Sequence, residues 1–460
     1  MGKHRHVAVI DIGKTNAKVA LVDLETLSEV AVRRQSNTVL ARPPYPHYDT
    51  DGLWQFMLTA LQELQMLRPI DAITVTTHGA SAALLDHSGE LAAPVLDYEH
   101  GAPDALSADY DAVRPHFDET GSPRLPMGLN LGAQLFWQFT AFPDIRQRTE
   151  TIVTYPQYWA FRLSGKAVNE VTSLGCHTDL WCPRAKSFSS LVDKMDWTDL
   201  MAPVAKASDC LGTILPTVAA STGISQGAKV YCGIHDSNAS LYAHLAVRQP
   251  PFSVVSTGTW VISFAIGGVD AALDPARDTL INVNAFGDPV PSARFMGGRE
   301  FERMLKGVSR DYRPQDVASV MEREAMLLPA VETRSGPFPG REYSWTVDEA
   351  LLTDGERFCA VSCYLALMTA TGLEMTGAKG TTFVEGPFAD NTVYLDMLAS
   401  ATGRGVSAVA GTGTSIGAAM LVAGSHNPDQ ALSSATVNPD ATMAAYAQKW
   451  REALRHLDVL

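Results

Sequence analysis

The 460-residue sequence predicts an α/β protein of two domains, each opening on a β-hairpin and facing the other across a cleft. Three observations carry this reading. "AVIDIGKTNAKVALV" is apolar on both sides of a polar, glycine-bearing turn. "VVSTGTWVISFA" repeats that pattern about 240 residues later. After each hairpin, short β-branched runs alternate with helical periodicities.

The first hairpin contains Gly13-Lys14-Thr15, the letters that close a Walker A phosphate loop. Such a loop needs G-x-x-x-x-G-K-[ST] between a strand and a helix. The position of the first glycine holds Ala8, and Val19-Ala20-Leu21-Val22 is a second strand rather than a helix. The stretch is therefore strand–turn–strand, and it sets Asp11, Lys14, Thr15, Asn16 and Lys18 around its turn.

"SEVAVRRQSNTV" supplies a third strand. "DGLWQFMLTALQELQMLR" is helical, with Leu53, Phe56, Met57, Ala60, Leu61 and Leu64 along one stripe. "DAITVTTHGASAALLD" is a strand, a polar turn at Thr76–Gly79 and another strand. Residues 97–130 are rich in Pro, Gly, His and Asp, the composition of loops or of a pocket wall. Helical patterns return at 133–139 and 157–163. In "AKVYCGIHDSNASLYAHLAV", Val230–Cys232 is a strand, Gly233–Asp236 a turn, and Ser237 starts a helix.

The second half follows the same order. After its hairpin come the helix "VSCYLALMTATGLEM", the strand "TTFVEG", the helix "TVYLDMLASATG", the strand "GVSAVA" and the helix "GTSIGAAMLVAG". The domains are set at 1–246 and 247–460.

A net charge of −14 argues against nucleic acid or an anionic membrane as partner. Any phosphate must then be met locally, by backbone N–H groups, a few lysines and a metal ion. No apolar run reaches the roughly 18 residues of a membrane span. The N-terminus lacks the apolar core of a signal peptide. The six cysteines (Cys176, Cys182, Cys210, Cys232, Cys359, Cys363) form no C-x-x-C pair. A reduced, cytoplasmic protein without a disulfide framework is expected.

Glycine turns that expose backbone N–H groups make anion-binding concavities, and two of them suit a nucleoside triphosphate. Asp11 is either a turn residue serving local backbone or an oxygen ligand for Mg²⁺. Asp236 lies between a strand and a helix. It is either part of that helix's cap or a general base for a substrate hydroxyl.

Four blocks, in order and across nearly the whole chain, resemble the FGGY family of carbohydrate kinases, which shares an ATPase fold with actin and Hsp70. "IDIGKTNAKVALVD" resembles the family's first phosphate block, "GIHDSNASL" the block of its catalytic aspartate, and "VSTGTW" its second phosphate block. "VEGPFADNTVYLDMLASATGRGVSAVAGTGTSIGAAMLVA" resembles its adenosine region.

The resemblance implies two actin-like (ribonuclease H-like) ATPase domains. It implies transfer of the γ-phosphoryl group of ATP, with Mg²⁺, to a primary hydroxyl of a small ketose or polyol. L-rhamnulose, L-fuculose and xylulose kinases are the nearest branches. Asp236 matches the general base, and Asp11 with Asp236 the metal carboxylates. The residues matching nucleotide contacts are Asp11, Gly13, Lys14, Thr15, Asn16, Lys18, Thr257, Gly258, Thr259, Gly297, Gly298, Gly386, Asn391, Gly411 and Thr412. Thr414 lies beside the last two. The sugar would be met by His78, Gly79, Tyr98, Glu99 and Asp236, with Asp97 and His100 as neighbours.

The departures are Lys14 and Asn16 in the first block, Glu385-Gly386-Pro387 in place of a glycine triplet, and "VLDYEHGAPD" where an Asp–Arg pair is usual. A proline removes one N–H donor from the adenosine turn. A non-catalytic sugar sensor and an actin- or Hsp70-like ATPase are the rival readings on this fold. Partners are limited to a sugar and ATP, with a homodimer as the candidate assembly.

Overall fold

The computed structural model describes residues 4–409, 413–424 and 435–457. These divide into two units. The first is drawn from Met1–Val247, Ile281–Pro289 and Thr412–Pro428, the second from Arg248–Leu280, Val290–Gly411 and Asp429–Leu460.

In the first unit, His6–Ile12 and Asn16–Asp23 pair antiparallel with Asp11 opposite Lys18, and Gly13 N–H closes the turn on Asn16 O at 2.9 Å. Ser28–Ser36 extends the meander antiparallel on one side, and Ala72–Thr77 pairs parallel with His6–Ile12 on the other. Lys229–Tyr231 then pairs parallel with Ala72–Thr77, and Cys210–Thr213 closes the edge antiparallel. The central strands are buried on both faces, as their unbroken apolar runs require. Thr50–Leu67 lays Leu53, Met57, Ala60, Leu61 and Leu64 on this sheet, its start fixed by Asp49, whose side chain accepts Gly52 N–H at 3.0 Å.

The second unit repeats the order. Phe252–Thr257 pairs antiparallel with Val261–Ile266, which pairs antiparallel with Pro289–Phe295. On its other side Phe252–Thr257 pairs parallel with Thr381–Glu385, then comes Val406–Ala408, parallel, and Thr436–Val437, antiparallel. The likeness of the two hairpins thus extends to the sheets around them. Asp354–Met375 is the core helix of this unit, opened by a Thr353/Glu356 capping box. Among the described residues it alone is long and apolar enough to cross a membrane, and 83% of its apolar window is buried in this core.

Three segments differ from expectation. Residues 97–130 carry the short helices Ala102–Leu106, Ser107–Asp111 and Phe117–Thr120. The turn placed at Gly233–Asp236 is confined to Gly233 at φ +84°, where a Cβ would lie 2.4 Å from Val75 O. Ile234–His235 then rejoins the sheet beside Ala72–Thr77, and the helix starts at Asp236. Last, Ala441–Leu457 forms a helix that the sequence reading did not identify.

The helix Gly413–Ala423 belongs to the first unit. It lies against Asp236–Leu245 so closely that a Cβ on Gly417 would sit 1.8 Å from Ala239 O, which the Gly-Ala-Ala run permits.

Candidate active site

In the first unit two strand ends and one helix start deliver the chemistry. Asp11 stands at the end of its strand, where its carboxylate accepts the Thr414 hydroxyl and pairs with Lys18 Nζ at 3.3 Å. Burial pushes the Asp11 carboxyl above the usual range, against Thr414 and Lys18 and with the charge of Asp236. Lys18 also reaches Glu29 at 3.3 Å.

Thr15 and Asn16 sit exposed at the tip of the hairpin. Asn37 braces the turn at Gly13 and Thr15. Its Nδ2 donates to Gly13 O at 2.8 Å and its N–H to Thr15 O at 2.9 Å. Asn37 was invisible in the sequence, since a lone Asn after a third strand carries no motif.

Asp236 is the first residue of its helix and keeps 29% of its side chain exposed. Its Oδ1 accepts Ser237 N–H at 2.6 Å. His235 lies 3.2 Å from the same oxygen through Nε2 and accepts from Asn238 Nδ2 at its Nδ1, 3.3 Å away. That pairing places the imidazole proton on Nε2, facing the carboxylate. Burial holds the His235 pKa down to about 4, and burial raises the Asp236 carboxyl above its usual range. The segment is fixed from below, where Thr172 Oγ1 accepts His235 N–H at 3.1 Å and in turn bonds the buried Glu170.

His78 joins this group. Its Nδ1 donates to Gly79 O at 2.8 Å, so Nε2 is an acceptor, and Nε2 is buried with no partner. Burial lowers its pKa to about 4. Its ring sits among Tyr48, Tyr98 and Tyr155 at 5.1–5.2 Å between centroids. Gly79 is required by space, since a Cβ there would lie 2.9 Å from His235 Nε2.

Lys14 points into this group. Its ammonium pairs with Asp97 and, at 3.3 Å, with Glu99, and it lies 4.7 Å above the Tyr98 ring and 5.2 Å above the Tyr48 ring. His100 goes elsewhere, packing edge-on against Trp137 at 5.5 Å. Of the residues 97–100, Asp97, Tyr98 and Glu99 therefore face the His78 group.

In the second unit, Gly258, Thr259, Gly298 and Asn391 line one cavity of about 660 Å³, walled by Phe301, Phe358 and Phe388 and carrying Arg299 and Arg310. That volume suits a nucleotide-sized ligand. Gly298 lets the helix Gly297–Met304 close on the hairpin turn, for a Cβ there would lie 2.1 Å from Gly258 O. Gly297 instead packs inward on Val261.

Thr257 is engaged structurally. Its hydroxyl donates to Glu385 O at 2.6 Å and accepts Phe388 N–H at 3.0 Å, tying the hairpin to the turn around Gly386. Gly386 stands at φ +84° with its would-be Cβ 2.0 Å from Thr257 O. Pro387 lacks an N–H and the next donor, Phe388 N–H, is used internally, so this turn offers little backbone to a ligand. Asn391 caps Thr392–Thr402 by accepting Tyr394 N–H at 3.1 Å and donates to Ser362 at 2.9 Å. Gly411 and Thr412 lie outside the described residues. Among the described residues no group of three or more His, Cys, Asp or Glu side chains is assembled for a metal.

Residues 6–243 match the model of the FGGY family of carbohydrate kinases, N-terminal domain, and residues 249–431 that of the carbohydrate kinase FGGY, C-terminal domain. The chain belongs to the FGGY family of carbohydrate kinases. A carbohydrate kinase structure from Novosphingobium aromaticivorans is 36% identical, with a TM-score of 0.90, over 97% of this chain and 99% of that one. An L-fuculokinase of Salmonella typhi is 22% identical over 280 residues, 58% of each chain. A rhamnulokinase of Pectobacterium atrosepticum is 26% identical over 177 residues, 37% of this chain and 35% of that one. The chain spans about half the length of the curated relatives it matches.

Proposed function

We propose that the chain is an ATP-dependent sugar kinase that phosphorylates a primary hydroxyl of a small ketose or polyol of the L-rhamnulose, L-fuculose or xylulose type. The observation that carries this is the presence, in one group, of Asp236 and the unpartnered His78 Nε2, each within reach of the other's charge. A carboxylate made more basic by burial stands in one buried group with a neutral imidazole that lacks only a hydrogen-bond donor. A sugar supplies both needs, one hydroxyl to lose a proton and another to donate.

In this reading Asp236 Oδ1 is held by Ser237 and His235, which leaves Oδ2 to take the proton of the attacking hydroxyl. His78 Nε2 accepts a second hydroxyl and orients the acceptor. The first domain, 1–246, supplies this site and the first phosphate hairpin, and the second, 247–460, the nucleotide pocket. There Gly258, Thr259 and Gly298 approach the phosphates and the phenylalanine walls receive the base.

Mg²⁺ fits the donors present. Asp11 and Asp236 are carboxyls raised by burial, and the charge of Asp236 raises Asp11 further, so a cation would relieve both. Two carboxylates are few for a resident cage but usual for Mg²⁺, which keeps several waters and takes phosphate oxygens. When bound, it neutralises charge on the transferred phosphoryl group.

The test is ADP release with ATP and Mg²⁺ against a panel of L-rhamnulose, L-fuculose, xylulose and glycerol. Release that depends on one of these sugars or polyols is expected. Steady release without sugar, or none with any sugar, would refute the kinase reading.

A further inference from the structure

Lys14 stands in the hairpin whose other polar residues face outward at the tip or pair along the strands. Its own side chain does neither. Only 19% of it is exposed, and its ammonium is enclosed by Asp97, Glu99 and the faces of Tyr48 and Tyr98. Those two tyrosines flank His78, and Asp97 further accepts Tyr48 O–H at 3.4 Å and Glu99 N–H at 3.1 Å. "VLDYEHGAPD" contains no Lys or Arg, and the cation for Asp97 and Glu99 comes from a residue over 80 positions earlier.

We propose that Lys14 is a positioning residue of the sugar acceptor site, not a ligand of the nucleotide phosphates, and that it fixes Asp97 and the Tyr98 wall to receive a neutral polyhydroxy acceptor. The inference rests on the kinase reading of the His78–Asp236 group. A long side chain held by two carboxylates and two ring faces is rigid, and it sets the direction of Asp97's lone pairs. Asp97 then presents an acceptor oxygen to a sugar hydroxyl beside His78. A Lys14 already matched by two carboxylates offers nothing to the carboxylate of an acid sugar, and Asp97, Glu99 and Asp236 would repel it.

The experiment compares wild type with Lys14→Met, which keeps the stem over the tyrosines and removes the charge, and with Lys14→Arg, which restores it. Steady-state ADP release is measured with the best acceptor of the panel varied at saturating ATP, and with ATP varied at saturating acceptor. Loss of a charge-assisted link predicts an acceptor KM about 10- to 100-fold higher in Lys14→Met. The ATP KM should stay within about twofold, and Lys14→Arg should recover part of the acceptor KM. An ATP KM that rises while the acceptor KM stays fixed would overturn the proposal, as would wild-type preference for gluconate over the neutral sugars.

Should wild type release no ADP with any sugar, the kinase reading fails. Lys14 is then judged by calorimetry of L-rhamnulose, L-fuculose and xylulose binding alone. Equal binding by wild type and Lys14→Met, or no binding by either, overturns the proposal. If Lys14→Met does not fold, Glu99→Gln, which removes one of the paired carboxylates, must shift the acceptor KM and leave the ATP KM unchanged, or the assignment is wrong.

Discussion

Thr257→Val tests whether the second hairpin and the Gly386 turn act as one piece. The replacement keeps the shape of the side chain and removes one oxygen. That oxygen donates to Glu385 O at 2.6 Å and accepts Phe388 N–H at 3.0 Å, on a side chain that is buried. Leaving the Phe388 N–H unpaired costs about 1–3 kcal/mol and the lost donation about 1 kcal/mol more, about 3 kcal/mol together. For a unit of this size the melting temperature should fall by roughly 6–12 °C. Phe388 and Asn391 line the same cavity as Gly258 and Thr259, so the ATP KM should rise as well. Thr257→Ser keeps both bonds and should stay close to wild type. Differential scanning calorimetry and ATP-dependent ADP release read the two effects. A valine variant that melts within about 1 °C of wild type and keeps its ATP KM would show that the hydroxyl couples nothing.

Asp236→Asn should lower kcat by about 10²- to 10⁴-fold, the range of a lost general base, while calorimetric ATP affinity stays the same; a kcat near wild type refutes the assignment. Burial raises the Glu170 carboxyl to about 7, so from pH 4.5 to 7 the unfolded chain releases a proton that the folded chain keeps. Glu170 therefore costs stability as pH rises, about 3 kcal/mol above pH 7. The stability of Glu170→Gln relative to wild type, read by urea unfolding, should improve by that amount between pH 4.5 and 8, and a pH-independent difference is the contrary result. His78 and His235 shift the other way, down to about 4. Each contributes stability in full above pH 6.5 and loses it as pH falls toward 4. Imidazole ¹⁵N shifts should show both rings neutral at pH 6, and a midpoint above 6 for either would be inconsistent with the buried group described.

The sequence disclosed what local pattern encodes. Both hairpins, the parallel strands beside them and the helix Thr50–Leu67 follow from apolar period and turn chemistry, which act over a few residues. Gly79 and Asp236 were placed by motif, and the structure sets them in one group with His78. The rest depended on contacts between distant segments. Nothing near Lys14 says that its partners are Asp97 and Glu99, and nothing in "RRQSN" says that Asn37 braces Gly13 and Thr15. Thr414 lies in the stretch that resembles an adenosine region, yet its hydroxyl goes to Asp11, because its helix packs in the first unit. Ile234–His235 was hidden for a different reason, since two residues after a positive-φ glycine are too few to show a strand period.

That last helix has a consequence for the order in which the chain can be built. Gly417 closes on Ala239, and Ile416, Ala418, Ala419 and Met420 are buried with Val7, Val9, Ala20 and Val22. During synthesis the opening sheet emerges first, but the surface that this helix covers stays open until more than 160 further residues have left the ribosome. Contacts of such long sequence separation form slowly and leave apolar surface exposed meanwhile. The first half of the molecule is thus completed only near the end of synthesis, and a fragment ending at Val247 would carry an uncovered apolar face where a chaperone, or a second fragment, could dock.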